Sequence, residues 1–261
     1  MSASSVSGSG LSGAASTAVA GHPAWWADGL AVVVGASGGL GAGLSDALAA
    51  LAPRGAEQVL CLGRRSDPAL DLLDEASIAQ AASWVRGQSE AAGQPVRLVI
   101  DATGWLHGDG WTPEKTWRQL DAAHMAHAFA VNAIGPALLM KHFLPLLPRQ
   151  GRAAFATLSA KVGSIGDNQL GGWYSYRAAK AALNQLVRTA AIELARTHPQ
   201  AVCVALHPGT VDTALSAPFA RTGLTVRPPA EAAERLLRVL AGLTPARSGR
   251  LIDHTGADLP W

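Results

Sequence analysis

Tyr176-Arg177-Ala178-Ala179-Lys180 sets a phenol and an ammonium four residues apart, on one face if the segment is helical. A free phenol has a pKa of about 10, and a nearby cation favours its ionised form. The pair can therefore act as a general acid–base on a hydroxyl or carbonyl oxygen. The other tyrosine, Tyr174, has Ala178 at the same spacing, so the geometry selects Tyr176. Tyr and Lys fall at this spacing by chance in many helices, so the pair gains weight only together with the glycine-rich turn upstream.

Val32-Val33-Val34-Gly35-Ala36-Ser37-Gly38-Gly39-Leu40-Gly41 is an apolar run, a glycine-rich turn and the start of an Ala/Leu-rich segment. Gly35 allows the tight turn, Gly39 lets a pyrophosphate approach the backbone, and Gly41 lets helix and strand pack closely. The free N–H groups of the helix start favour phosphate. Beyond the next strand, where a carboxylate would bind the ribose 2′-hydroxyl of NAD, stands Cys61-Leu62-Gly63-Arg64-Arg65. A guanidinium suits a 2′-phosphate, so the expected cofactor is NADP(H) read by Arg64, with NAD(H) as the alternative.

Two other chemistries can be read and set aside. Gly35-Ala36-Ser37-Gly38-Gly39 also spells Gly-x-Ser-x-Gly, with Asp212 and His254 following in hydrolase order. That fold needs several strands before its serine, and only one precedes Ser37. His124, His127 and His142 lack an acid or cysteine to complete a metal site, so no metal is expected.

The elements that must position these groups alternate regularly. Strands are expected at Leu30–Val34, Gln58–Leu62, Pro95–Ile100, Arg152–Leu158, Ala201–Leu206 and Arg250–Ile252, with a further short one at Ala69–Leu73. Helices are expected from about Gly39 to Ala52, from Asp74 and Glu75 to about Ala91, from about Asp121 to Leu147 with a bend at Pro136, at Ser175–Thr197 and at Ala230–Leu240. Alternating strands and helices make a single doubly wound Rossmann-type α/β domain, its parallel sheet covered on both faces.

Residues 1–24 are Ser, Gly and Ala with few large side chains, and are expected to be a disordered tail before a domain at 25–261. They lack the basic start and apolar stretch of a signal peptide. A net charge of +2 gives no reason to expect nucleic acid, and no apolar run reads as a membrane span. The two cysteines, Cys61 and Cys203, each fall in a strand run and are expected buried, fitting a reducing compartment and a cytoplasmic protein.

Gly35–Gly41, Asp101-Ala102-Thr103-Gly104, Asn132, Tyr176 to Lys180 and Pro208-Gly209-Thr210-Val211 occur in an order and spacing that resemble the short-chain dehydrogenase/reductase family. Phe129 to Pro136, Leu158 to Ile165 and Gly171 to Ala178 resemble its C-factor and sniffer-like carbonyl reductase branch. The resemblance implies interconversion of a ketone or aldehyde and an alcohol by hydride transfer. It makes Tyr176 the acid–base, Lys180 its pKa-lowering partner on the nicotinamide ribose, and Asn132 the anchor of a proton-relay water. It implies dinucleotide contacts from Gly35, Ser37, Gly38, Gly39, Leu40, Gly41, Ala102, Gly104, Pro208, Gly209, Val211 and Thr213, with Asp71 on the adenine. It also implies a homodimer or homotetramer through the long helices.

The chain departs from the pattern in places. Val34 replaces a threonine, and Asp101 and Thr103 replace asparagine and alanine. The substrate-orienting serine of Ser-Ser-x-x-Gly falls on Ala160, leaving Ser159 as the expected hydroxyl and Ser164 as a poorer substitute. That gap motivates the rival reading, a dinucleotide-binding sensor or signalling protein with little turnover. Ala214–Arg227, with Leu215, Phe219 and Leu224, is the expected lid with an apolar substrate face.

Overall fold

The computed structural model describes residues 22–219 and 225–261, together with 18–19; of 18, 19, 22 and 23 only the backbone is described. Six strands form one parallel sheet: β1 Leu30–Val34, β2 Val59–Leu62, β3 Val96–Asp101, β4 Ala153–Leu158, β5 Ala201–His207 and β6 Leu251–Asp253. Their spatial order is β6-β5-β4-β3-β1-β2. The chain passes from β1 outward to β2 and then returns to the other side of β1 for β3. A crevice therefore opens at the C-terminal ends of β1 and β3, where such sheets bind ligands.

Alternate side chains of the strands feed two cores. Ala31, Val33, Leu98, Ile100, Val204 and Leu206 pack on one face with α1 (Gly39–Leu51) and α6 (Pro229–Gly242). Val32, Val34, Val99, Phe155 and Cys203 pack on the other with α2 (Glu75–Ala92), α4 (Gly135–Phe143) and α5 (Tyr174–Leu194). Strands buried on both sides read as continuous apolar runs for this reason. Asp74 caps α2 by accepting from Ala76 N at 3.0 Å. Asp121 caps α3 (Ala122–Phe129) by accepting from His124 N at 2.7 Å.

Several expectations are corrected. Ala69–Leu73 forms no strand: Leu70 N turns back to Gly63 O at 2.9 Å, and β2 stays the sheet edge. Cys61 is exposed, since an edge strand is covered less completely, while Cys203 is buried; both thiols are free. Where the long helix is expected to bend at Pro136, it carries a π-helical turn at Ala130–Ile134, with Pro136 in the first turn of α4. Pro136 has no N–H for the Asn132 carbonyl, and the widened turn falls on the residues just before it. By length and mean hydropathy (1.3) the whole stretch Ala122–Leu146 is apolar enough to span a membrane. Here it packs against α2 and α5 as a helix of the fold.

Described backbone begins before residue 25. Ala18–Val19 and His22–Pro23 pair as an antiparallel hairpin against α6, and Ala24 is buried. The rest of the expected tail lies outside the described residues, as does Leu224.

Candidate active site

The glycine turn follows β1 as its spacing requires. Gly35 adopts φ +80°. A Cβ on Gly41 would stand 2.1 Å from Gly35 O, and one on Gly39 would stand 2.9 Å from Thr213 Cγ2. Only bare backbone fits there, so α1 starts against the turn and Thr213 closes over it. Gly38, Ser37 and Gly39 are exposed, and Leu40 anchors the helix in the core. α1 has no side-chain cap, so its first N–H groups are open to a phosphate. This bare cradle fits the pyrophosphate of a dinucleotide.

Neighbouring loops complete the rim. Gly35 N donates to Leu62 O at 2.8 Å, tying the glycine turn to the end of β2, where Arg64 is exposed. The space beside Gly63 meets Ser37 Oγ at 3.9 Å, which brings Ser37 and the arginine turn together. Asp71 lies in the turn before α2, its Oδ1 accepting from Leu73 N at 3.0 Å. Ala102 N extends the β1 pairing, donating to Val34 O at 2.9 Å. Pro208-Gly209 leads from β5 into Thr210–Val211, which pairs with Val226–Arg227 at the far end of the expected lid. Its near end is held where His107 Nε2 meets Ala214 O at 3.2 Å.

Tyr176 and Lys180 sit on the first turns of α5. Gly163 makes room for Lys180, since a Cβ there would stand 2.7 Å from Lys180 Cβ. Lys180 is 2% exposed and its Nζ donates to Leu158 O at 2.8 Å, at the end of β4. The ammonium lies 5.8 Å from the centre of the half-buried Tyr176 ring. A Cβ on Gly104 would stand 3.7 Å from Asn132 Oδ1 and 4.0 Å from Lys180 Nζ, so these three groups meet. Asn132 is fully buried: Nδ2 donates to Trp105 O at 2.8 Å and Ala128 O at 3.0 Å, and Oδ1 accepts from Trp105 N at 3.0 Å.

The electrostatics differ from the sequence expectation. Burial pushes the Tyr176 phenol up to about 12 rather than down. Lys180 Nζ is bonded to a main-chain carbonyl, and desolvation is what raises the phenol. Burial also pushes Lys180 down to about 8, opposed by the negative charge of Asp101. Asp101 is fully buried; its Oδ1 accepts from Thr103 N at 3.0 Å and its Oδ2 from Thr157 Oγ1 at 2.6 Å.

Ser159 requires a correction. Its side chain is buried and its hydroxyl donates to Asn184 Oδ1 at 2.7 Å. The single proton is thereby spent inside the α5 packing and is not free for a substrate carbonyl. Ser164 is buried too, accepting from Asp167 N at 3.1 Å. The rival readings do not assemble: His254 of the hydrolase order packs edge-on to His207, and His124 lies among tryptophans while His142 meets Glu75.

Beside Tyr176 lie Trp173 and His107, to which sequence reasoning gave no role, together with Phe219 of the expected lid. Trp173 packs edge-on to the Tyr176 ring (6.2 Å) and to Phe219 of the lid segment (5.2 Å), and Phe219 meets His107 (5.4 Å). The Gly171-Gly172-Trp173 run was visible, but its partners lie far away in the chain.

The short chain dehydrogenase family model matches residues 29–222. The C-signal protein of Myxococcus xanthus is 38% identical over 143 residues, covering 54% of this chain and 81% of that protein. The 1-hydroxy-2-glutathionyl-2-methyl-3-butene dehydrogenase of Rhodococcus sp. (strain AD45) is 29% identical over 238 residues, covering 88% and 98%. Among solved structures, the NADPH-bound carbonyl reductase from chicken fatty liver superposes with a TM-score of 0.76 at 27% identity, covering 89% of this chain and 98% of that one. The carbonyl reductase Sniffer of D. melanogaster shares the fold with a TM-score of 0.75 at 22% identity, covering 90% and 99%. The glycine cradle, the sheet order and these matches agree: the chain belongs to the short chain dehydrogenase family, with the C-signal protein among its relatives, and is an NAD(P)-dependent oxidoreductase.

Proposed function

We propose that this protein reduces a ketone or aldehyde to an alcohol with NADP(H), Tyr176 delivering the proton. The observation that carries the reading is the meeting of Lys180 Nζ, from the helix that bears Tyr176, with Gly104 and Asn132 Oδ1. When bound, NADPH would supply the hydride. A phenol held near 12 is neutral at pH 7 and is poised as an acid. An oxygen that gains hydride at its carbon becomes far more basic than phenolate and takes the Tyr176 proton. Lys180 adds positive potential beside the ring, and Asn132 holds Trp105 and the wall of the crevice in place. Gly35 to Gly41 and Thr213 would hold the pyrophosphate, Asp71 the adenine, and Pro208 to Val211 the amide end.

Arg64 supports the preference for NADP(H): it is exposed at the rim and has no ion pair among the described residues. The NADPH held by the chicken fatty liver relative points the same way. The Trp173–Phe219–His107 wall gives the substrate an apolar, aromatic side. We place this single dinucleotide-binding domain at 25–261, with Ala24 and the hairpin before it packed onto it, and in the cytoplasm. Ile134, Leu186 and Ile192, exposed on the long helices, make the surface for a homodimer or homotetramer.

The second reading, a dinucleotide-binding sensor, is favoured by one observation: Ser159 is committed to Asn184 and Ala160 holds the place of the orienting hydroxyl. Titration of NADPH and NADH, followed by tryptophan-to-nicotinamide fluorescence transfer, tests the cofactor. Arg64→Ala should weaken NADPH by about tenfold or more, the worth of a charged hydrogen bond, and leave NADH unchanged. A carbonyl screen with Tyr176→Phe as control then tests turnover. Tight binding without turnover of any carbonyl would give the sensor reading.

A further inference from the structure

The catalytic helix begins in an unusual way. Gly171, Gly172 and Trp173 are all left-handed, at φ +65°, +67° and +54°. For tryptophan that conformation costs about 1–2 kcal/mol, and Trp173 offers α5 no side-chain cap. The cap comes from 61 residues away instead. Both carboxylate oxygens of Glu114 accept from Ser175 N at 3.3 Å, and Oε1 also accepts from Ser175 Oγ. The main-chain oxygen of Glu114 accepts from Trp173 N at 2.5 Å. Ser175 immediately precedes Tyr176.

Glu114 is itself 2% exposed. A carboxyl group buried this deeply is costly unless its oxygens are hydrogen-bonded. A hydroxyl at position 173 could cap the helix locally without that cost. What the distant acid adds is a connection. His124 Nδ1 lies 3.4 Å from Glu114 Oε1, and its ring is stacked on Trp111 (5.5 Å, 7° between planes) and meets Trp105 edge-on at 5.4 Å. The backbone of Trp105 grips the Asn132 side chain through two hydrogen bonds. One continuous set of contacts thus joins Asn132 to the turn that carries Tyr176.

We infer that Glu114 is a positioning residue for Tyr176: by holding Ser175 and Trp173 it fixes the first turn of α5 and so the place of the phenol. The inference rests on the reading of Tyr176 as the acid. It also assigns His124 and Trp105 to the support of that carboxylate.

The test compares the full-length wild type with Glu114→Ala, Glu114→Gln and Tyr176→Phe. Hydrogen–deuterium exchange of residues 173–178 reads the helix turn without any need for activity. In Glu114→Ala that segment should exchange about tenfold faster or more, while the sheet is unchanged. The kcat for carbonyl reduction should fall by about tenfold to a hundredfold, with NADPH affinity within about threefold, as expected for a misplaced group. Glu114→Gln keeps an acceptor for Ser175 and should recover most of both. If Glu114→Ala does not fold, Ser175→Ala removes the hydroxyl donor in a helix-compatible way and should show the same pattern, weaker.

Unchanged exchange of 173–178 would overturn the inference whatever the activity. So would a kcat left intact by Glu114→Ala in an enzyme that Tyr176→Phe inactivates. Full turnover by Tyr176→Phe would overturn the Tyr176 reading instead, and the exchange result would still judge Glu114 as the clamp on α5.

Discussion

Lys180→Met should make this protein more stable at neutral pH, and the gain should disappear at high pH. Burial holds the Lys180 ammonium near pKa 8 against an ordinary 10.5. That gap of about 2.5 pH units corresponds to about 3 kcal/mol of penalty on the charged form in the folded state. Methionine has a similar volume and no charge. It loses the hydrogen bond to Leu158 O, which returns about 1 kcal/mol. The net expectation at pH 7 is about 2 kcal/mol in favour of the variant. The sign with pH follows from proton binding. Between pH 8 and 10.5 the unfolded chain holds the Lys180 proton and the folded one does not, so wild-type stability rises with pH. The stability present above 10.5 is lost as pH falls through 8. Urea unfolding of both proteins from pH 7 to 11 reads the difference, and other titrating groups cancel between them. The wild type should gain about 3 kcal/mol relative to Lys180→Met across that window. Parallel curves would mean that Lys180 keeps an ordinary pKa and would refute the electrostatic description of the site. Activity should be lost in the variant at every pH, the outcome expected of a buried lysine kept for chemistry at a cost in stability.

Three further substitutions have outcomes that follow from the site's geometry. Gly41→Ala places a Cβ 2.1 Å from Gly35 O, so the turn must shift; dinucleotide binding should be lost in fluorescence titration, with about 1–3 kcal/mol of destabilisation. Ala160→Ser should raise kcat by about tenfold or more by restoring a donor for the substrate oxygen, whereas Ser159→Ala should leave kcat nearly unchanged and cost about 1 kcal/mol through the orphaned Asn184. Steady-state kinetics on the three proteins would refute this if Ser159→Ala were the inactive one.

Much of the site was legible because its parts are local. The glycine turn needs close backbone approach within seven consecutive residues, and the Gly41–Gly35 contact occurs inside that run. Tyr176 and Lys180 share a face because they are one helical turn apart. Strand runs were readable because a doubly covered sheet demands continuous apolar residues, and Cys61 was misjudged because the sequence does not say which strand is the edge. Ala69–Leu73 has strand-like residues, but Leu70 turns back to bond Gly63.

The sequence alone determined the fold class, the bare-backbone glycine turn and the one-turn spacing of Tyr176 and Lys180, all set by short spacings and by residue types that only one conformation suits. Tertiary structure decided the rest. It turned the Ser159 hydroxyl into Asn184, and it lifted Tyr176 and lowered Lys180 through burial. It also brought Glu114 to the start of a helix 61 residues away. Desolvation and hydrogen-bond pairing depend on which surfaces meet in three dimensions, and no local pattern of residues encodes that meeting.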